Sequence, residues 1–370
     1  MAGQAGLAHS PVSAKESDAI LHAADAADFA PATEEAIPFF GGLCPLEKRF
    51  FQDAADGTLE RFSLLDAALI AGGVERPAQL KRYQEKLSAL VKELRASGKV
   101  TGSPRCRAEA IFEFMHRRVL GSGYRLECTD LRTAIDSGQF NCISATVLFN
   151  CLAGEFNLEV CGLEIPGHAV SRVFLPDGSL DIETTCPGWF RLMHDPARQA
   201  KALAGTIGRV PNRDMSHARQ VFAVQIAAMI YYNRGVDLLG QKLFAEAAAA
   251  NAKALHLDPI STTARGNLLA VLNNWAIELG ANGHHTEAVD LLRIGMAFDQ
   301  DYEPFSLNYV HVHHQWVEDL CRQGQFEEAL TVLAVASQQF PGSDYFRLAP
   351  SDVRRRWAAG SSIRAAEDRQ

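Results

Sequence analysis

Residues 138–185 read GQFNCISATVLFNCLAGEFNLEVCGLEIPGHAVSRVFLPDGSLDIETT, and the periodicity changes from helical to β-like inside this one stretch. Asn141 is a favoured N-cap residue, and behind it Ile143, Val147, Leu148, Cys151 and Leu152 recur at helical spacing. Asn157 suits the left-handed position that ends such a helix. Residues 158–165 are β-like, Pro166-Gly167 breaks the run, and residues 168–175 and 179–185 read as two further strands around Pro176-Asp177-Gly178. With Asp177-Gly178 as the central turn residues, Pro176 pairs with Ser179, Arg172 faces Glu183 and Phe174 faces Asp181. Glu183 and Asp181 then share a face with His168, and Glu183 is the nearer. It still lies about four residues along from His168, a gap that requires a twist or bulge.

The same stretch holds a nucleophile, a base and an orienting acid on elements that can meet. Cys142 falls at the first turn of its helix, where unpaired backbone N–H groups and the macrodipole favour a thiolate. Cys151 and Cys161 read as core, one mid-helix on the apolar face and the other inside a strand. His168 opens the strand after the Pro-Gly break, placed to accept and return a proton, and a carboxylate beside it would fix its tautomer. Gln139, three residues before Cys142, is a candidate side-chain donor beside the Cys142 N–H in an oxyanion hole.

This order resembles the transglutaminase-like superfamily, relatives of papain-type folds. NCISATVLFNCLA resembles its catalytic helix, GHAVSRVFL its histidine strand and LDIETT its Asp-Pro-Thr strand. IPGHAVSR is similar to a bacterial branch whose cores can carry tetratricopeptide repeats behind them. The resemblance spans residues 110–185 and implies Cys142 as nucleophile, His168 as general base and Glu183 as the third member, with Asp181 in reserve. Glu183 departs from the usual Asp and lacks the Pro after it. Relatives in that branch can lack the cysteine, so a catalytically inactive adaptor that binds protein or peptide partners is the alternative.

Outward from this core the pattern is helical. Upstream, residues 59–71, 78–96 and 108–120 carry apolar positions near a 3.6-residue period. Downstream, three segments align, YNRGVDLLGQKLFAEA, NNWAIELGANGHHTEA and HQWVEDLCRQGQFEEA, whose Glu-Ala pairs end at 247, 288 and 329, steps of 41 residues. Gly235, Phe244, Ala247, Ala254 and Pro259 fall where a tetratricopeptide repeat places its small, aromatic and proline positions, and KALHLDP is similar to that repeat's ending. A 41-residue period exceeds that family's by two helical turns, and a HEAT-type helix pair is the other reading of it.

The expected organisation is a disordered segment over 1–35, a helical lead-in with the core over 36–210, repeats over 220–345 and a polar tail over 346–370. The fold class is α+β, a transglutaminase-like, cysteine-protease-type core with N-terminal helices followed by an all-α tetratricopeptide-like solenoid. The chain of 370 residues, 47% apolar and 22% charged, is long enough for two cores and excludes general disorder. Its net charge of −8 argues against nucleic acid as a partner. Between 220 and 345 there are 14 Asp+Glu against 6 Lys+Arg, a local charge of −8, so the acidity belongs to the repeats. These should bind a protein or peptide with a basic segment.

Eight Cys without CxxC pairs point to reduced thiols and a cytoplasmic location, and no apolar run reaches the ~20 residues a membrane helix needs. No cofactor or metal is expected, since GxGxxG, Walker, HExxH and GxSxG motifs are absent. His311, His313 and His314 in HVHH read as repeat surface, His284-His285 as an inter-helix turn, and Trp275 and Trp316 as equivalent packing positions.

Overall fold

The computed structural model describes residues 39–207 and 218–367, with side chains through residue 359. The segment 1–35 lies outside the described residues. The chain divides into two compact units, one ending at Arg265 and the other beginning at Gly266.

The first unit opens with α1 (Pro45–Asp53), α2 (Leu64–Ala71), α3 (Pro77–Ala96) and α4 (Pro104–Arg118). Proline stands at the first position of α1, α3 and α4, where a missing N–H costs nothing. The helix expected from residue 59 starts only at Leu64, because Ser63 and Asp66 close a capping box there. There follow β1 (Gly123–Tyr124), α5 (Leu131–Ser137), β2 (Gln139–Phe140) and α6 (Cys142–Gly154). β1 and β2 pair in parallel.

An antiparallel sheet comes next, with β3 (Val160–Ile165), β4 (His168–Leu175) and β5 (Gly178–Ile182) as a meander. After α7 (Trp189–Leu192) and α8 (Pro196–Ile207), β6 (Arg219–Val221) returns to pair with β3, giving the order β5-β4-β3-β6. β6 was not among the expected strands; three residues are too few to show an alternation. The unit ends with α9 (Ala223–Gly240) and α10 (Phe244–Leu257). This first pair of the repetitive region therefore packs within the same unit as the sheet, although its sequence pattern places it with the repeats.

α6 lies at the centre of this unit, in contact with α2, α4, α5, α9, β3 and β4. Every residue from Cys142 to Asn150 is buried, so the helix is enclosed on all sides and not along one stripe only. Val147 and Phe149 of this helix and Ile111, Phe112, Val173 and Ile182 of other elements are among the fully buried side chains of the unit.

α11 (Thr262–Ala281) runs across the division between units, and the second unit continues with α12 (His285–Phe298), α13 (Glu303–Arg322), α14 (Phe326–Gln339) and α15 (Asp344–Glu367). α10, α12 and α14 start at 244, 285 and 326, keeping the 41-residue step. α13 packs against α12, α14 and α15. The expected polar tail from 346 is helical instead. Phe346 and Val353, seven residues apart, are buried, and Arg356 donates to Glu318 at 2.7 Å. Two apolar anchors at helical spacing are enough to dock a segment whose composition is otherwise polar. The chain is thus mixed helix and sheet with a helical C-terminal stretch, and no described helix is long and apolar enough to cross a membrane.

Candidate active site

Two backbone features bring the site residues together. Gly138 caps α5 in the left-handed conformation with φ 75°, and a Cβ there would stand 2.6 Å from the Val119 carbonyl oxygen. Only glycine lets the chain turn there into β2 and α6. Gly167, with φ 68°, follows Pro166 in the β3–β4 turn, so His168 starts β4 directly opposite Ile165.

Asn141 then fixes the start of α6. Its Oδ1 accepts from the Ile143 and Ser144 N–H groups at 2.9 and 3.1 Å, and its Nδ2 donates to the Leu126 carbonyl and Thr129 Oγ1 at 2.9 and 2.6 Å. The Ser144 hydroxyl donates to the Cys128 carbonyl at 2.8 Å. Ala145 N–H bonds the Asn141 carbonyl, so of the first four N–H groups of α6 only that of Cys142 has no acceptor among the described residues. A developing oxyanion at the thiol would meet this free donor and the positive end of the helix.

His168 and Glu183 meet in the interior. Nε2 of His168 lies 2.8 Å from Oε2 of Glu183, and the residues are 5% and 3% exposed. The other carboxylate oxygen of Glu183 accepts from the Thr185 N–H at 3.1 Å and hydroxyl at 2.6 Å. Cys142, 8% exposed, is close enough to the same imidazole to act on its titration. With Nε2 engaged by Glu183, Nδ1 is the nitrogen left for the thiol. Burial pulls the His168 imidazole down, but the hydrogen bonds and charges of Cys142 and Glu183 outweigh it and raise it to about 10. Burial pushes Glu183 up, and His168 with the two Thr185 donors reverses this and holds the carboxyl below its ordinary range.

The strand register differs from the expected one by two residues. Leu175 pairs with Gly178 and Arg172 with Asp181, so Pro176-Asp177 form the turn. Proline has no N–H for the ladder and suits the second position of a turn, so the register that removes Pro176 from pairing is preferred. Arg172 now binds Asp181 through two bonds at 2.6 and 2.8 Å. Asp181, the reserve acid, is thereby committed away from His168. Extended past Ile182, this register sets Thr185 opposite His168 and leaves Glu183 two residues away instead of four.

Gln139 is half-buried on β2, and its side chain makes no hydrogen bond among the described residues. Cys161 is a core thiol and Cys151, expected in the core, is half-buried; burial is the main cause that raises both, Cys161 to about 11. Among the described residues no group of His, Cys, Asp and Glu is arranged to hold a metal ion. His313 of the HVHH run is buried, with Nδ1 2.8 Å from the Tyr309 carbonyl. His285, expected as turn surface, is buried, stacks on Trp316 and bonds Asp319 at 2.8 Å. Trp189 donates to the Asp181 carbonyl at 3.3 Å.

Sequence reasoning missed a charged cluster that ties β6 to β3, α9 and the end of α10. Arg219 of β6 donates to Glu164 at 2.6 Å and to Asp258 at 2.9 Å, and the Tyr232 hydroxyl donates to Glu164 at 3.0 Å. Tyr232 is raised well above its usual range, first by burial and then by Glu164 and Cys142. Nothing in the sequence links residues 164, 219, 232 and 258; only the return of β6 to the sheet does. Compared with known proteins, the chain matches no family model, no curated protein and no solved structure.

Proposed function

We propose that the chain is a transglutaminase-like cysteine enzyme that acts on amide, peptide or ester bonds through a thioester on Cys142. One observation carries this reading: a buried imidazole bonded to a buried carboxylate, with a thiol at the first position of a helix close enough to act on it. In the reaction the thiol proton already rests on His168, which Cys142 and Glu183 raise to about 10, and the Cys142 sulfur attacks the substrate carbonyl carbon as the thiolate. The Cys142 N–H supports the oxyanion, and Glu183 stabilises the imidazolium and fixes the tautomer. The imidazolium returns the proton to the leaving amine or alcohol as the carbonyl–heteroatom bond breaks. Water or an amine, deprotonated by His168, then displaces the sulfur and the thiol is restored.

The finer architecture belongs to the same reading, with a transglutaminase-like core in the first unit and tetratricopeptide-like pairs from α9 onward. Supporting it are the helix–strand–strand order around the three residues and the constant 41-residue step of α10, α12 and α14. The acidic repeats would recruit a protein or peptide with a basic segment, and neither nucleic acid nor a membrane is a proposed partner. All eight cysteines are free thiols, which supports a reducing, cytoplasmic location.

A second reading, a catalytically inactive adaptor, is favoured by the low exposure of all three residues, 8, 5 and 3%. Alkylation by iodoacetamide at neutral pH, resolved thiol by thiol, separates the two. The enzyme reading expects Cys142 to react roughly tenfold or more faster than the other seven thiols and to lose this advantage in His168→Ala. Slow labelling, unchanged in His168→Ala, would establish the adaptor.

A further inference from the structure

The backbone that carries Glu183 is not held by the sheet. Pairing of β5 with β4 stops at Ile182, yet Glu183, Thr184 and Thr185 are 3, 0 and 0% exposed. Two side chains from outside the strand tie this segment down. Thr146, one turn along α6 from Cys142, meets Thr184 hydroxyl to hydroxyl at 3.0 Å. His116, in the last turn of α4, places Nε2 3.0 Å from the Thr184 carbonyl oxygen.

A carbonyl oxygen only accepts, so Nε2 of His116 carries the proton and Nδ1 is bare. Nδ1 is buried with no hydrogen-bond partner among the described residues. Burial, against the smaller pull of the Thr184 carbonyl, lowers His116 to about 4, so the ring is neutral at physiological pH. It packs 4.5 Å from the Phe112 ring and 6.0 Å from that of Phe140, two residues before Cys142. One neutral imidazole therefore touches the segment leading into Cys142 and the segment that carries Glu183. An apolar ring would fill the same space without leaving a nitrogen unsatisfied; what histidine adds is the donor to Thr184.

We propose that His116 is a positioning residue for the candidate triad, holding the Thr184 carbonyl so that the Glu183 carboxylate meets His168. It touches no reacting atom. The proposal rests on the reading of Cys142 and His168 as a reacting pair, but its consequence at His168 can be measured without activity.

The test follows the His168 ring titration by NMR in the full chain, alongside Cys142 alkylation. Cys142 and Glu183 are the ionisable groups that act on that ring. In His116→Phe the ring packing stays and the donor is lost. The His168 titration should then fall by about one pH unit as Glu183 moves away. Alkylation of Cys142 should slow on the order of tenfold or more. His116→Gln, whose amide reaches the Nε2 position, should restore both. A folded His116→Phe with the wild-type His168 titration overturns the proposal. If His116→Phe does not fold, His116→Gln is compared with His116→Asn, whose shorter amide cannot reach Thr184, and equal His168 titrations in these two overturn it. Slow alkylation of the wild type, by contrast, counts against the enzyme reading alone, and the titrations still decide the role of His116.

Discussion

Nε2 of His168 and Oε2 of Glu183 stand 2.8 Å apart in the interior, although Glu183 has already left the strand that pairs with β4. In the proposed reaction a carboxylate so placed would have two jobs: it would fix the orientation of the ring through Nε2, and it would stabilise the imidazolium that carries the thiol proton.

Glu183→Gln should separate those jobs from packing. The amide nearly preserves the shape but removes the charge, so turnover, or alkylation of Cys142 as its proxy, should fall by about 10²- to 10⁴-fold. Wild-type reactivity in Glu183→Gln would remove Glu183 from the site.

Asp181→Asn should behave differently, because Asp181 belongs to Arg172. The pair is about a quarter to a third exposed, so its loss should cost about 0.5–1 kcal/mol in urea unfolding after allowance for solvent screening. Cys142 alkylation should not change. A large loss of reactivity would mean that Asp181 serves His168 after all.

The pairing also makes stability depend on pH, in a direction fixed by the two shifts. His168 is raised to about 10, so its contribution is complete below the ordinary histidine value near 6.5 and is lost as pH rises through about 10. Glu183 is lowered, so its contribution is complete above the ordinary glutamate value and is lost as pH falls through its depressed one. The stability difference between wild type and Glu183→Gln, read from urea midpoints, should be largest between about pH 5 and pH 6.5 and shrink as pH rises from there through about 10 or falls through the depressed Glu183 value. A difference independent of pH would contradict the shifts.

Asn141→Ala removes the cap of α6 together with two donors to the preceding loop. The loss should be about 2–3 kcal/mol, more than an ordinary cap, since the Leu126 carbonyl and Thr129 hydroxyl also lose a partner. Thermal unfolding gives the value, and a loss under about 0.5 kcal/mol would show that Asn141 does not organise the start of this helix.

Much of the site was readable along the chain because its signals are local. Asn141 before an apolar run marks a helix start, Pro166-Gly167 marks the turn, and His168–Leu175 is the strand that the alternation indicates. Asn157 takes the left-handed conformation, φ 55°, that its place at a helix end suggests. The hairpin register was less accessible. Asp177-Gly178 is a strong turn signal, but the requirement to keep Pro176 out of the ladder overrides it, and the two-residue slip hands Arg172 to Asp181.

The sequence by itself determined the existence of α2, α3, α4 and α6, the β3–β5 meander, the 41-residue step, and the candidacy of Cys142, His168 and Glu183, because capping, turn chemistry and periodicity act over a few residues. Only the tertiary structure decided that Glu183 rather than Asp181 reaches His168, that β6 returns to the sheet with Arg219, and that His116 and Thr146 hold Thr184. Those relationships join residues from 15 to 68 positions apart, and no local pattern encodes them. They follow from burial, which leaves each polar group in the interior only the partners that packing brings within reach.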